Sequence, residues 1–197
     1  MPGDGEASGG SAVAQLESEM EELDAGKFFY KEETSSTEEG SSESGRNTNP
    51  WQAIDEYRTM TNGLEPLGDT IPQRGDGNGT VAFIEVNGEK IFGVNSSLLS
   101  ETDKMLGKQY FADMKKAGYF NNVKAYGSGS AQVFTHAEGY SLMRVHSIYG
   151  NNMPKNITIY CDRRTCGICQ TNLQYFKEYF NLDSLTVINK DGKKFDF

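Results

Sequence analysis

Apolar residues follow two different periods in residues 80–197. Runs rich in β-branched and aromatic residues predict strands at 80–86, 91–95, 132–135, 156–161 and 185–188, with a short end strand within 190–197. Apolar residues spaced three and four apart predict helices at 100–118, 136–148 and 166–180. The pair Asn87-Gly88 is a strong hairpin signal between the first two strands. Strands that alternate with helices predict an α/β sandwich around one sheet.

The region before residue 80 has a different composition. Residues 34–49 contain no apolar residue, which predicts disorder. Residues 11–24 have the spacing of a short acidic helix, which would be marginal alone. We therefore expect an acidic disordered tail or linker at 1–49. Residues 50–79, rich in Gly, Pro and Asn and with one or two helical turns near Trp51, form a transition segment before a folded domain at 80–197.

Charge is unevenly distributed along the chain. The 197 residues have a formal net charge of −9, which at first argues against a nucleic-acid partner. However, residues 1–49 hold twelve acidic and three basic residues, whereas residues 80–197 hold eleven acidic and fourteen basic ones. The folded part is thus slightly basic and compatible with DNA. The tail is either a solubilising linker or a docking or autoinhibitory segment lying over the basic face.

Several classes of protein are excluded. No run approaches the roughly 18 apolar residues of a membrane span, so we expect no membrane partner. The first residues lack the basic start and apolar core of a secretory signal peptide. Three cysteines do not make a disulfide framework.

Two motifs carry candidate chemistry: Thr-His-Ala-Glu-Gly at 135–139 and Thr-Cys-Gly-Ile-Cys at 165–169, each at the start of a predicted helix. Cys166 and Cys169 are three residues apart, so both thiols share one helix face, and a helix N-terminus favours their thiolates. With His136 they make three zinc ligands, which leaves a fourth position for a water that ionises near neutral pH. Glu138 is placed to shuttle protons. An H-x-E motif followed by C-x-x-C is typical of nucleobase deaminases.

These motifs give residues 80–197 a resemblance to the cytidine-deaminase superfamily. Within it, the H-x-E-G and T-C-G-x-C forms are similar to bacterial polymorphic-toxin deaminases of the DddA-like DNA cytosine deaminase group. The resemblance implies a three-layer α/β sandwich, with a central mixed sheet of about five strands and helices on both faces. It also implies that His136, Cys166 and Cys169 bind Zn²⁺ and that Glu138 is the catalytic proton shuttle. Thr165 stands where many superfamily members have proline; it could instead cap the following helix.

The resemblance further implies a function. We expect a zinc-dependent hydrolase that converts cytosine to uracil in single- or double-stranded DNA, as the toxin domain of a secreted effector. It would act in the cytoplasm of a recipient cell, and an immunity protein would protect the producer. Alternatives are a deaminase acting on RNA or on free cytidine or deoxycytidine nucleosides and nucleotides, and a non-enzymatic binding domain with structural zinc.

Five further residues are candidate substrate contacts. Asn95 resembles, by its place in the fold, the superfamily asparagine that contacts sugar or base. Phe134 and Tyr126 could stack on a flipped-out base, and Arg163 and Arg164 could hold phosphates. Each also has a purely structural interpretation, as a strand end, a core or loop anchor, or a solvated basic loop.

The motifs themselves also have other interpretations. Cys-Gly-Ile-Cys is similar to a thioredoxin-type redox motif, although that fold needs more chain after the motif than this sequence has. A closed structural zinc site would need His146 or Cys161 as a fourth ligand. Glu138 could form a capping box with Thr135 and serve only helix folding.

Overall fold

The computed structural model describes residues 49–61, 64–73 and 76–197. Four α-helices lie in these ranges: α1 (Pro50–Met60), α2 (Glu101–Lys116), α3 (Ala137–Tyr149) and α4 (Gly167–Tyr179). The described strands are β1 (Val81–Val86), β2 (Glu89–Val94), β3 (Asn156–Cys161), β4 (Ser184–Asn189) and β5 (Lys194–Asp196). The predicted acidic tail and its short helix lie outside the described residues, apart from Asn49.

The five strands form one mixed sheet in the order β2-β1-β3-β4-β5. β3 and β4 pair in parallel, while the other neighbours are antiparallel. This confirms the predicted mixed sheet of an α/β sandwich. Asn87 and Gly88 both have positive φ, as a tight hairpin turn requires, and they connect β1 to β2.

One predicted strand is wrong. The segment 132–135 belongs to a 3₁₀ helix, Gly129–Thr135, which leads directly into α3. The consecutive residues Val133, Phe134 and Thr135 are all buried, whereas a strand would turn alternate side chains to opposite faces. The short apolar run was therefore compatible with either element.

Helix α1 covers one face of the sheet. Phe83, Phe92 and Tyr160 lie side by side on three neighbouring strands. Tyr57 of α1 stacks on Phe92 with ring centroids 4.2 Å apart, and Trp51 meets Tyr160 edge-on at 6.0 Å.

The segment predicted as a transition also supplies core residues. Ala53, Ile54 and Leu64 are buried in the same hydrophobic core as the strands. The predicted domain boundaries themselves stay a prediction.

Helix α3 covers the opposite face, and a glycine allows its close approach. A Cβ at Gly93 of β2 would clash with the carbonyl oxygen of Ala137 and lie 2.6 Å from the backbone nitrogen of Ser141. Only glycine lets the backbones of β2 and α3 come this close. The start of α3 is thereby fixed against the sheet. In the described part of the chain, no helix has the length and apolarity to cross a membrane.

Candidate metal centre and substrate cleft

Three side chains from two helix N-termini meet at one point. His136 is the N-cap residue of α3, Cys166 is the N-cap residue of α4, and Cys169 lies in the first turn of α4. Nδ1 of His136 lies 3.3 Å from the Sγ atom of each cysteine. The predicted ligand residues are therefore brought together, although they are up to 33 residues apart in the sequence.

The local sequence explains how His136 reaches this position. The 3₁₀ helix ahead of it turns the chain, and Gly139 in the first turn of α3 lets the two helices pack closely. A Cβ at position 139 would clash with the carbonyl oxygen of Val133. The glycine of the H-x-E-G motif thus has a packing reason of its own.

The donor set fits a zinc ion. The three ligand atoms lie within 4.8 Å of one another. Tetrahedral zinc with ordinary Zn–N and Zn–S bonds needs nitrogen and sulfur about 3.5 Å apart, close to the 3.3 Å observed. Among the residues that the structure describes, no fourth His, Cys, Asp or Glu joins this group. Three ligands with one position left over are typical of catalytic zinc.

The two alternative fourth ligands lie elsewhere. Cys161 is fully buried at the end of β3 and lies outside the ligand group. Nδ1 of His146 lies 2.7 Å from the hydroxyl of Tyr110, and its ring stacks on Phe180 at 4.5 Å. The structure therefore does not support a closed structural site built with either residue.

The protonation of the three ligands is coupled. The hydrogen bond with Cys169 lowers the pKa of Cys166 to about 4, helped by the one with His136 and opposed by burial. The pKa of Cys169 is raised well above its usual value by the hydrogen bond with Cys166 and by burial. Burial opposes charge on His136, but the neighbouring Cys166 and Glu138 raise its pKa overall. The thiolate of Cys166 thus forms readily, whereas the thiolate of Cys169 needs a nearby positive charge, which a divalent metal would supply.

Glu138 lies beside the ligands without belonging to their group. It is 4% exposed, and burial raises the pKa of its carboxyl group. A carboxyl whose pKa lies nearer to neutral can both accept and donate a proton. The capping-box interpretation is wrong: α3 has no side-chain cap, and the Thr135 hydroxyl donates to the Gln132 carbonyl oxygen instead.

An open cleft with a volume of about 100 Å³ lies over this centre. Glu138 and two of the ligands line it together with predicted substrate contacts and two neighbours: Thr80, Asn95, His136, Ala137, Glu138, Arg163, Arg164 and Cys166. The side-chain oxygen of Asn95 accepts a hydrogen bond from the backbone N–H of Thr80 at 3.1 Å. This bond leaves the amide nitrogen of Asn95 available for a substrate.

The two arginines of the cleft differ in their surroundings. Arg163 donates to the carbonyl oxygens of Gln73 and Gly79 and pairs with Asp76 at 2.6 Å. It therefore fastens the chain before β1 to the loop that precedes Cys166. Arg164 is 58% exposed and pairs only with Asp191, at 3.3 Å, among the described residues. Of the two, Arg164 is the side chain that is available to a ligand.

The predicted aromatic contacts lie away from the cleft. Phe134 is fully buried and packs against Phe120 and Phe176, with ring centroids about 5 Å away. This contradicts the expectation that it stacks on a base, since the ring has no exposed surface. Tyr126 packs against Phe111 and Gly107 and does not line the cleft.

Sequence reasoning missed the residues that hold the ligand loop. Asp162 is 1% exposed, pairs with the fully buried Arg58 at 2.9 Å and accepts from the Val81 backbone N–H. Asn189 at the end of β4 bonds to Thr165. The N-cap of α4 is Cys166, so Thr165 is not the N-cap that the sequence allowed. Both partners are distant in sequence, and no local motif marks them.

Comparison with known proteins agrees with this geometry. The model of the MafB19-like deaminase family matches residues 54–194. No curated protein and no solved structure matches the chain.

Proposed function

The chain belongs to the MafB19-like deaminase family and is thus a hydrolytic deaminase of the nucleic-acid or cytidine type; from this premise we propose that it converts cytosine to uracil in DNA in a zinc-dependent reaction. The observation that carries the proposal is the three-ligand centre with Glu138 buried beside it, open to the cleft. His136, Cys166 and Cys169 would hold the ion. When bound, zinc would lower the pKa of water toward neutral and so supply a nucleophile.

Glu138 carries the proton transfers. Its carboxylate accepts a proton from the attacking water and passes it to the ring nitrogen next to the amino-bearing carbon. It then accepts the remaining proton of the newly added hydroxyl group and passes it to the amino group, which leaves as ammonia while the carbonyl group of uracil forms. Cytosine and water give uracil and ammonia, so each proton is accounted for. Burial supports this role, because it raises the pKa of the Glu138 carboxyl group toward neutral, where the group can both accept and donate a proton.

A polynucleotide substrate is supported by the rim of the cleft. Arg164 is exposed beside the ligands and can contact a phosphate, while Asn95 can contact the sugar or the base. The slightly basic composition of residues 80–197 favours the approach of a nucleic acid. A target base would have to enter the cleft unstacked, from a single strand or after flipping out of a duplex.

The biological setting is also a proposal. By resemblance to polymorphic-toxin deaminases, we expect the domain to be part of a secreted effector that acts in the cytoplasm of a recipient cell. An immunity protein that covers the cleft would protect the producer. Covering Arg164 and the opening above Glu138 would block substrate entry.

A substrate panel tests the reaction. The zinc-loaded protein is incubated with single-stranded DNA, duplex DNA, RNA and free deoxycytidine, and uracil formation is measured by sequencing and by ammonia release. We expect conversion in at least one DNA substrate, and conversion at least about 100-fold slower with Glu138→Gln. Conversion restricted to RNA or to the free nucleoside would overturn the DNA assignment and leave the deaminase intact.

A further inference from the structure

Asn189 joins the end of β4 to the loop that presents the zinc ligands. It is the last residue of β4, pairs in register with Cys161, and is fully buried. Its amide nitrogen donates to the Thr165 hydroxyl oxygen at 2.9 Å and to the Arg163 carbonyl oxygen at 3.0 Å. Its amide oxygen accepts from the Thr165 backbone N–H at 3.2 Å. One side chain thus makes three hydrogen bonds to Arg163 and Thr165, two of the three residues before Cys166.

Thr165 is the focus of these contacts. Besides its two bonds to Asn189, its carbonyl oxygen accepts from the side-chain nitrogen of Gln170 at 2.7 Å. Its N–H, hydroxyl and carbonyl groups are therefore all held, from β4 on one side and from α4 on the other. Rotation of the peptide between Thr165 and Cys166 would break the bond from Gln170, and displacement of Thr165 would break both bonds to Asn189. The next residue, Cys166, makes no side-chain cap bond at the start of α4, and its carbonyl oxygen accepts from the Gln170 backbone N–H at 2.9 Å.

We propose that Asn189 is a positioning residue for the zinc centre, which holds Cys166 at the ligand distance from His136 through Thr165. The inference rests on the proposed zinc-dependent function. A buried asparagine with only a packing role could satisfy its amide group on any neighbouring element. Asn189 instead makes all three bonds to the short loop before Cys166, and two of them to Thr165, the residue next to this ligand. Residues that orient metal ligands without binding the ion themselves typically change metal affinity by 10–100-fold when they are removed.

The test is the affinity for zinc, measured by competition with a chromophoric chelator. We expect Asn189→Ala to bind zinc 10–100-fold more weakly than the wild type. Thr165→Val keeps the side-chain volume but loses the hydroxyl, so a smaller loss is expected. Thr165→Ser keeps the hydroxyl and should restore wild-type affinity. The absorption spectrum of bound Co²⁺ should shift in the weakened variants, because the ligand geometry changes.

Asn172→Ala is the matched control. Asn172 is also a buried asparagine, but within the described ranges its amide donates only to the Ile168 carbonyl oxygen of α4. Its removal should lower thermal stability without changing zinc affinity. Should Asn189→Ala fail to fold, Thr165→Val and Thr165→Ser decide the question.

Two results would overturn the inference. Zinc affinity within twofold of wild type in both Asn189→Ala and Thr165→Val would show that Asn189 has only a packing role. A wild-type protein that binds no zinc would overturn the metal centre, and with it this inference. The two failures are distinguishable because only the second changes the wild type.

Discussion

Glu138 lies beside the candidate ligand residues, and in the proposed reaction it transfers protons without binding the ion. Glu138→Gln keeps the shape of the side chain and removes its ability to accept a proton. We expect kcat to fall by roughly 10²–10⁴-fold, with the zinc content unchanged as determined by elemental analysis. Glu178→Gln, at an exposed position of α4, should have no effect. Loss of zinc together with activity would contradict the assignment and place Glu138 in the ligand set.

Arg164 provides a test of the nucleic-acid substrate. Arg164→Gln should weaken the binding of a single-stranded DNA oligonucleotide about tenfold, because one charged contact to phosphate is lost. Binding is measured by fluorescence anisotropy in the Glu138→Gln background, which prevents turnover. The difference should shrink as salt is raised, since screening weakens the contact. Unchanged binding at low salt would remove Arg164 from the interface.

The matched variant is Arg163→Gln. This arginine is already engaged by Gln73, Asp76 and Gly79. Its replacement should therefore lower the melting temperature more than Arg164→Gln does.

His146 makes the stability of the fold dependent on pH. Burial lowers the pKa of His146 below its usual 6.5. The unfolded chain therefore takes up this proton at a higher pH than the folded protein does, and the free energy of unfolding should fall as pH drops below about 6.5. His146→Gln removes the titrating ring, so its stability should fall less over the same range. Urea denaturation of zinc-free protein from pH 7.5 to 5.5 measures this, and parallel curves would contradict it.

At the scale of elements, the contact between β2 and α3 is the one that positions His136 and Glu138. Gly93→Ala would push the first turn of α3 away from the sheet. We expect a loss of about 1–3 kcal/mol in the free energy of unfolding, measured with urea, as for other overpacked sites. Gly167→Ala is the control, because a Cβ there meets no atom within 4 Å. Equal stability of Gly93→Ala and wild type would show that the two backbones can separate without cost.

The elements that could be predicted from the sequence are those with a clear period. Strands β1, β3 and β4 contain near-continuous β-branched or apolar residues, and the helices have apolar faces. The 3₁₀ helix could not be predicted, because Val133 and Phe134 fit a strand equally well in a segment of four residues. Its true form depends on packing against Phe111, Phe120 and Phe176, which are distant in sequence.

The candidate site also contains residues that could be predicted from the sequence and residues that could not. His136, Cys166 and Cys169 could be identified because zinc chemistry restricts both residue type and spacing. Asn189 and Arg58 could not, since an isolated Asn or Arg has no spacing rule and its role depends on the partner it meets. For Phe134 the prediction from the sequence is wrong. Its position close to His136 in the sequence suggested that it contacts a base in the cleft, whereas the 3₁₀ helix turns its ring into the core.

At the scale of the whole molecule, the chain before β1 is fastened to the ligand loop by a buried charge pair. Arg58 pairs with Asp162 and also donates to the carbonyl oxygens of Glu65 and Asn78. Removing one member of such a pair leaves an uncompensated buried charge and typically costs about 3–5 kcal/mol. We therefore expect the described segment before residue 80 to contribute to the stability of the fold.

Two truncations test this contribution. Deleting residues 1–48 keeps α1, whereas deleting residues 1–79 removes it and leaves Asp162 without its partner. We expect the shorter chain to lose at least about 3 kcal/mol of unfolding free energy relative to the longer one, measured by urea denaturation. Asp162→Asn in the longer chain should reproduce part of that loss. Equal stability of the two truncated chains would show that residues 80–197 fold independently of α1.

The edge-on contact between Trp51 and Tyr160 has a practical consequence. Trp51 is the single tryptophan of the chain, and it lies on α1 against the sheet. Its emission wavelength therefore reports the docking of one helix rather than an average over several sites. Detachment of α1 would move the indole into water and shift its emission to longer wavelength. The absorption of Co²⁺ bound by the cysteines would instead report on the metal centre, which includes His136 at the start of α3 on the opposite face of the sheet. Two optical signals can thus time events on the two faces separately in one stopped-flow mixture.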